Sequence, residues 1–404
     1  MPKRVAIDIQ SEVQYFSIAS LLSEISKIAD LTIVTGNLCP GDSTYEKITK
    51  KTESLLADKN IKSKSFADLG DYQFDVCICP YYSNHIKAKF YLKYEYGTLN
   101  IKPSLTYTPQ SLRGLHGFLC QSTITERLLS AYGLTFPVDN LRFDGYTRKK
   151  EKNTILFAPT YNDDETISDY IDIIKNLQSA GYKVLVKGHH GTEYLEQNAK
   201  KRNILVSLAD EYYGPDTCLS ELIMRAEVCL FGNSSAIGEA LYANVPCAIF
   251  AHDLDSFALE NIHTSQYHFA KDNIIPHCSN SKAITTAIKK AQEPEIITLQ
   301  KRLSESVFPA RFKTRTTGYI NAISLFLNNE DGLMDEYANL SYIAKQKEID
   351  DLHKDIKKLE KELQLTKQAL LDCQPIIDSY NNGKLHKIAR KLYELEGKIL
   401  NGKS

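Results

Sequence analysis

The chain has 404 residues, 43% hydrophobic and 25% charged, enough length and apolar content for two packed cores and an extra segment. Lys and Arg number 49 against 50 Asp and Glu, a formal net charge of -1, which excludes the overall basic footprint of a nucleic-acid binder. The 9 cysteines form no C-x-x-C pair and no zinc-type spacing with histidine, so they read as core residues of a chain kept in a reducing, cytoplasmic compartment.

At the N-terminus, MPKRVAIDIQSE starts basic, but Asp8 and Glu12 interrupt any signal-peptide core, and no run of about 18 apolar residues follows anywhere. Neither a signal peptide nor a membrane span is expected. The runs RVAIDI, LTIVTG, FDVCICPYY, KYEYG, GFLCQS and LRFDGY read as short strands, with helical spacing at Glu12 to Ile28 and at Thr123 to Tyr132. The pattern restarts near residue 153 with TILFAPTYN, KVLVKGHH, NILVS, EVCLFGN and PCAIFAH. Alternation of this kind implies parallel sheets covered by helices, here two Rossmann-like α/β domains facing a cleft, at 1–150 and 151–330, with a helical tail at 331–404.

Ligands in open α/β sheets bind beyond the carboxyl ends of the strands. In the second half that edge carries Tyr161-Asn162-Asp163, Lys187, His189, His190, Ser234 and Ser235. In the first half it carries Tyr81, Tyr82, His85, Tyr96, Gly97, Thr98, Asn100 and Lys102. His116 stands before the strand GFLCQS, at the opposite edge, and is expected to be structural. The stretch LFGNSSAIGEAL runs from a buried strand through small polar residues into a helix, a geometry that turns backbone N–H groups and hydroxyls toward an anion. The same residues also serve as ordinary N-caps.

Tyr96-Gly97-Thr98, Gly145-Tyr146-Thr147-Arg148, Ala158-Pro159-Thr160, Lys187-Gly188-His189-His190 and Asn233-Ser234-Ser235 followed by Glu239 occur in the order seen in the CDP-glycerol glycerophosphotransferases. Over about residues 90 to 255 the chain thus resembles that family, whose members build teichoic acids and related capsule polymers on a GT-B fold. The resemblance implies a transferase that moves glycerol phosphate from CDP-glycerol to a hydroxyl of a lipid-linked saccharide or growing polymer and releases CMP. It implies donor binding by Lys187, Asn233, Ser234, Ser235, Glu239 and Thr160, with His189 acting on the leaving phosphate. The family's His-Gly-Thr is replaced by Tyr96-Gly97-Thr98, which leaves Tyr96 and His85 as candidates for the acceptor base. No Walker A loop, G-x-G-x-x-G or paired carboxylate site stands out, so metal-independent chemistry without a cofactor is expected.

From about Tyr342, apolar residues recur at heptad positions: Ile349, Leu352, Ile356, Leu359, Leu363 and Leu370. A coiled coil or helical hairpin is expected, with self-association as its use and packing on the chain's own body as the alternative. KLHKIARKLYELEGKIL then reads as a basic amphipathic helix suited to the anionic inner face of a membrane, which would place the protein peripherally on the bilayer beside a lipid-linked acceptor, with an ordinary solvated helix end as the alternative. The short chain, with no acceptor-binding repeats, favours a primer or linker role. Two alternatives remain: a nucleotide-sugar glycosyltransferase on the same fold, and a non-catalytic assembly protein with a degenerate GT-B body.

Overall fold

The computed structural model describes residues 2–36, 41–82, 85–97, 99, 112, 114–130, 132–160, 166–232, 234–254, 258–259, 262–263, 265–309, 312–329, 332, 354, 357–368, 387 and 390–391. Met1–Ala338 form one compact unit and Asn339–Ser404 another.

The first sheet is built from β1 (Arg4–Asp8), β2 (Asp30–Thr35), β3 (Ser63–Ser65), β4 (Gln73–Cys79), β5 (Lys87–Tyr94), β6 (Gly117–Cys120) and β7 (Leu134–Pro137). All its pairings are parallel, in the order β3-β2-β1-β4-β5-β6-β7. Around it lie α1 (Glu12–Ile18), α2 (Leu21–Ile25), α3 (Ser43–Asp58) and α4 (Thr123–Ser130). The Asp42 carboxylate starts α3 by accepting from the Thr44 and Tyr45 amides, as the sequence preference for Asp at a helix start leads one to expect.

The second half continues with β8 (Thr154–Ala158), α5 (Ile167–Ser179), β9 (Lys183–Lys187), α6 (His190–Tyr194), α7 (Ala199–Leu208), β10 (Glu211–Tyr213), α8 (Leu219–Arg225), β11 (Val228–Phe231), α9 (Ile237–Tyr242) and β12 (Cys247–Phe250). A two-stranded pair, β13 (Ala258–Leu259) and β14 (Ile262–His263), precedes α10 (Ser265–Lys271), β15 (His277–Cys278), α11 (Ile284–Ala291), α12 (Pro294–Val307) and α13 (Thr317–Leu327). The second sheet is also wholly parallel, in the order β10-β9-β8-β11-β12-β15. β8, β11 and β12 are buried at every residue because helices cover both faces, which is why they read as unbroken apolar runs. Phe157 and Phe231, both fully buried, each stabilise the fold by roughly 2–3 kcal/mol relative to exposure.

Several segments differ from the sequence expectation: β3 and β7 are not among the expected strands, and of KYEYG only Lys93 and Tyr94 are in a strand, the end of β5. LRFDGY is a turn of 3₁₀ helix at Leu141–Phe143, capped by Asn140, rather than a strand. It is where the chain crosses between cores: Leu141 packs with the first sheet and Phe143 with the second, so its alternating pattern reflects two different burials. NILVS lies inside α7, and the strand follows at β10; a short β-branched run does not by itself separate strand from helix. The helix expected over Glu12 to Ile28 breaks into α1 and α2, after which Leu21 and Ile25 enter the core of the first sheet. Late in the chain, α13 returns to that same core through Tyr319, Ile323 and Phe326.

In the C-terminal unit, residues 357–368 are helical, with Leu359 and Leu363 exposed, and Lys387, Arg390 and Lys391 are helical and exposed. Heptad positions Ile349, Leu352, Ile356 and Leu370 and the rest of the basic segment lie outside the described residues. Among the described residues no helix is long and apolar enough to cross a membrane.

Candidate active site

In the second sheet the strand order reverses between β8 and β11, so a crevice opens beyond their carboxyl ends. Ala158 and Pro159 leave β8 there, Ser234 and Ser235 leave β11, and Lys187 to His190 leave neighbouring β9. These residues line one cavity of about 160 Å³, closed on its other side by Tyr96 and Gly97 from the end of β5 and by Val13 and Phe16 of α1. The two sheets thus contribute opposite walls of a single site.

The turn after β11 is tighter than the sequence implied. The Gly238 and Glu239 amides donate to the Ser235 and Ala236 carbonyls at 3.0 Å each, and the Ala236 amide donates to Ser234 Oγ at 3.2 Å. Those amides are already used within the turn, so the polar face offered to a ligand comes chiefly from the serine side chains. The chain after β5 sits directly on this turn. A Cβ added to Gly97 would lie 3.1 Å from Ser235 Oγ, and one added to Gly238 would lie 2.6 Å from Leu99 Cγ. Leu99 itself is buried in the core of the second sheet. Glycine at 97 and 238 is what lets the two halves approach this closely.

Lys187 supplies positive charge. Its ammonium donates to the Gly214 carbonyl at 2.8 Å and the Gly188 carbonyl at 3.2 Å. Burial pulls its pKa down to about 8, opposed by the Asp216, Cys218, Glu193 and Glu12 groups. His189 caps α6: its Nδ1 accepts from the Gly191 amide at 3.0 Å, which in the neutral ring leaves the proton on Nε2. Its ring lies 3.9 Å from that of His190. His190 is open to solvent on the cleft side yet walled by protein elsewhere; that crowding and the nearby Lys187 ammonium lower its pKa to about 4, so it is neutral near pH 7.

Glu239 is 1% exposed and ion-paired through Oε1 with Arg142, itself 7% exposed. Arg142 also donates to Ser17 Oγ at 2.9 Å, to the Val13 carbonyl at 3.3 Å and to the Tyr96 carbonyl. One guanidinium therefore ties α1, the end of β5 and α9 together. Glu239 Oε2 is buried with no hydrogen-bond partner among the described residues, and Glu239 lines the cavity. Burial raises the Glu239 pKa, while Arg142 and then Lys187 oppose the rise.

The remaining expected residues separate. The Tyr96 hydroxyl is hydrogen-bonded to that of Tyr81, and burial raises both phenol pKa values, so Tyr96 keeps its proton at neutral pH. His85 is exposed, stacks on Phe66 at 4.8 Å and does not line the cavity. His116 Nδ1 accepts from the Tyr91 amide at 3.0 Å, next to the start of β6, a packing role. Thr160, expected among the donor-binding residues, is buried and does not line the cavity; its Oγ1 is unpartnered among the described residues. Asn233, Thr98, Asn100, Lys102 and Tyr161-Asn162-Asp163 lie outside the described residues. Among the described residues no group of three or more His, Cys, Asp or Glu is arranged to hold a metal ion.

Arg142 escaped the sequence reading because it sits in an apolar run taken for a strand; an arginine inside Leu-Arg-Phe was the available signal. Glu12 also escaped. It is 3% exposed, and its Oε1 accepts a hydrogen bond from Tyr194 of α6 across the cleft.

No family model and no curated protein matches the chain. Among solved structures, a candidate UDP-N-acetylglucosamine 2-epimerase from Listeria monocytogenes aligns over 81% of this chain and 97% of its own, with TM-score 0.55 and 9% identity. MnaA of S. aureus, solved with UDP, aligns over 81% and 97% with TM-score 0.51 and 11% identity. A variant of the wall teichoic acid polymerase TagF, soaked with CDPG, aligns over 81% and 89% with TM-score 0.51 and 10% identity. At these identities the likeness establishes the fold, two Rossmann-like domains of the GT-B type.

Proposed function

We propose that the protein transfers glycerol phosphate from CDP-glycerol to a hydroxyl of a lipid-linked saccharide or growing polymer, as a primer or linker enzyme, with release of CMP. The supporting observation is one cavity lined by Lys187, His189, Ser234, Ser235 and Glu239 from one half and by Tyr96 and Gly97 from the other. Displacement at a phosphoryl group needs its charge balanced and its bonds held in line. In this reading Ser234 and Ser235 hold the diphosphate, and Lys187 neutralises charge on the departing CMP. His189 donates from Nε2 to the same phosphate. The unpartnered Oε2 of Glu239 accepts from the donor's ribose. Similarity to TagF soaked with CDPG is consistent with this choice of donor.

The second reading is a nucleotide-sugar enzyme using a UDP-linked donor. It is favoured by the similarity to MnaA solved with UDP, since the same cavity would accept either nucleotide diphosphate.

The deciding experiment measures CMP release from CDP-glycerol, with and without an alkyl-diphosphate-linked disaccharide, for the wild type and His189→Ala. Acceptor-dependent release that falls by about 10²-fold or more in the variant is expected. Consumption of UDP-sugars with no CMP release would discard the CDP-glycerol reading in favour of the second.

A further inference from the structure

We propose that Glu12 binds the acceptor hydroxyl and takes its proton, at the floor of a separate cleft shaped for a sugar or polyol. The assignment rests on the transfer reading above and adds the missing half of the site.

The first sheet has its own reversal of strand order, between β1 and β4. The crevice beyond those strand ends is where such a sheet binds a ligand. Glu12 follows β1 at this point, and Tyr81 follows β4. Both line a cavity of about 520 Å³, whose lining also includes Ser11, Thr44, Thr49 and Tyr45. Asp42, the other carboxylate of the lining, is taken up as the cap of α3, which leaves Glu12 among phenolic rings and aliphatic hydroxyl residues, a lining that suits a ligand carrying many hydroxyl groups with apolar faces between them. Val13, Tyr96 and His190 line this cavity and the donor cavity alike, so the two are adjoining chambers.

Glu12 is poised within this arrangement. Its carboxylate is nine-tenths buried or more, and Oε1 is held by the Tyr194 hydroxyl. Oε2 has no partner among the described residues. A buried carboxylate oxygen without a donor is costly unless a ligand supplies one. The Glu12 charge is also felt by Lys187, which puts the two groups within electrostatic reach across the chambers. The other candidates are less suited. Tyr96 keeps its proton and is bonded to Tyr81, His85 faces Phe66, and a proton arriving on His190 would be repelled by Lys187.

In the step, Glu12 Oε2 accepts the proton of the acceptor hydroxyl as that oxygen bonds to the phosphorus bearing glycerol. The bond from this phosphorus to the CMP oxygen breaks, and its electron pair leaves with CMP. The proton then passes from Glu12 to solvent.

The test uses the full chain, CDP-glycerol and the alkyl-diphosphate-linked disaccharide. Glu12→Gln, which keeps size and an acceptor for Tyr194, is expected to bind CDP-glycerol with unchanged affinity while kcat for acceptor-dependent CMP release falls about 10²-fold or more. Added formate is expected to restore part of the activity of Glu12→Ala, a recovery that a merely structural role would not give. A Glu12→Gln enzyme with kcat within about threefold of wild type overturns the proton role. A wild type that binds CDP-glycerol yet neither binds nor uses the disaccharide overturns the ligand class of the cleft. If the wild type ignores CDP-glycerol and turns over a UDP-sugar, the transfer reading fails, and Glu12→Gln assayed with that donor still decides the role of Glu12.

Discussion

Arg142 and Glu239 form a buried ion pair that joins the two halves of the chain at the candidate site. Neither charge has solvent to fall back on, so each depends on the other. Removing one partner from such a pair costs about 3–5 kcal/mol, because the remaining charge is stranded. Arg142→Met is expected to lose that much stability in urea titration, together with donor binding. Pairing it with Glu239→Leu should recover most of the stability and none of the binding. Additive losses in the double variant would show that the ion pair is not what couples these residues.

Gly238→Ala sets two effects against each other. Alanine improves helix propensity by about 1 kcal/mol, yet its Cβ would stand 2.6 Å from Leu99 Cγ and 3.2 Å from Leu99 Cβ, atoms near the backbone that cannot swing aside. Overpacking costs about 1–3 kcal/mol, so a net loss is expected, with Leu99 displaced and the cavity wall at Gly97 loosened. A thermal midpoint equal to or above wild type would contradict the close seating of this loop.

On the proposed function, Lys187 sets a pH limit on donor binding. Its pKa of about 8 means the ammonium is present below that value and lost as pH rises through it. Affinity for CDP-glycerol, measured by calorimetry, should therefore weaken between about pH 7 and 9. Lys187→Met should bind weakly at every pH and lose the dependence. A flat profile in the wild type would mean that Lys187 does not face the phosphates.

Asp8 ends β1 at 1% exposure, and burial raises its pKa to about 7 despite a hydrogen bond from Gln10. The folded state thus holds a proton that the unfolded chain releases near the ordinary value of 3.8, so stability from this group is present at low pH and falls as pH rises from about 4 to 7. Asp8→Asn should leave stability at pH 4 nearly unchanged and raise it at pH 8 by on the order of 2–4 kcal/mol. Equal effects at both pH values would refute the burial argument.

The strand-and-helix alternation was legible because β1, β4, β8, β11 and β12 are short apolar runs ended by polar residues, and the parallel arrangement follows from that spacing. Lys187, His189, Ser234 and Ser235 were legible for the same reason: a residue just past a buried strand must emerge at the carboxyl edge, and position along the chain alone determines it. His85 shows the limit of that rule, since a loop residue at the same edge can turn aside to stack on Phe66.

Position along the chain could not determine which distant groups meet. Arg142 lies 97 residues from Glu239, and Tyr194 lies 182 residues from Glu12. Each contact forms only because the two sheets bring their carboxyl edges face to face, and burial there makes a partner obligatory for a charge. Sequence by itself determined the two sheets and the edge that carries the polar residues, through local patterns of apolar spacing. The tertiary structure alone decided that Arg142 holds Glu239 and Tyr194 holds Glu12, because that depends on contacts between chain segments with no common period.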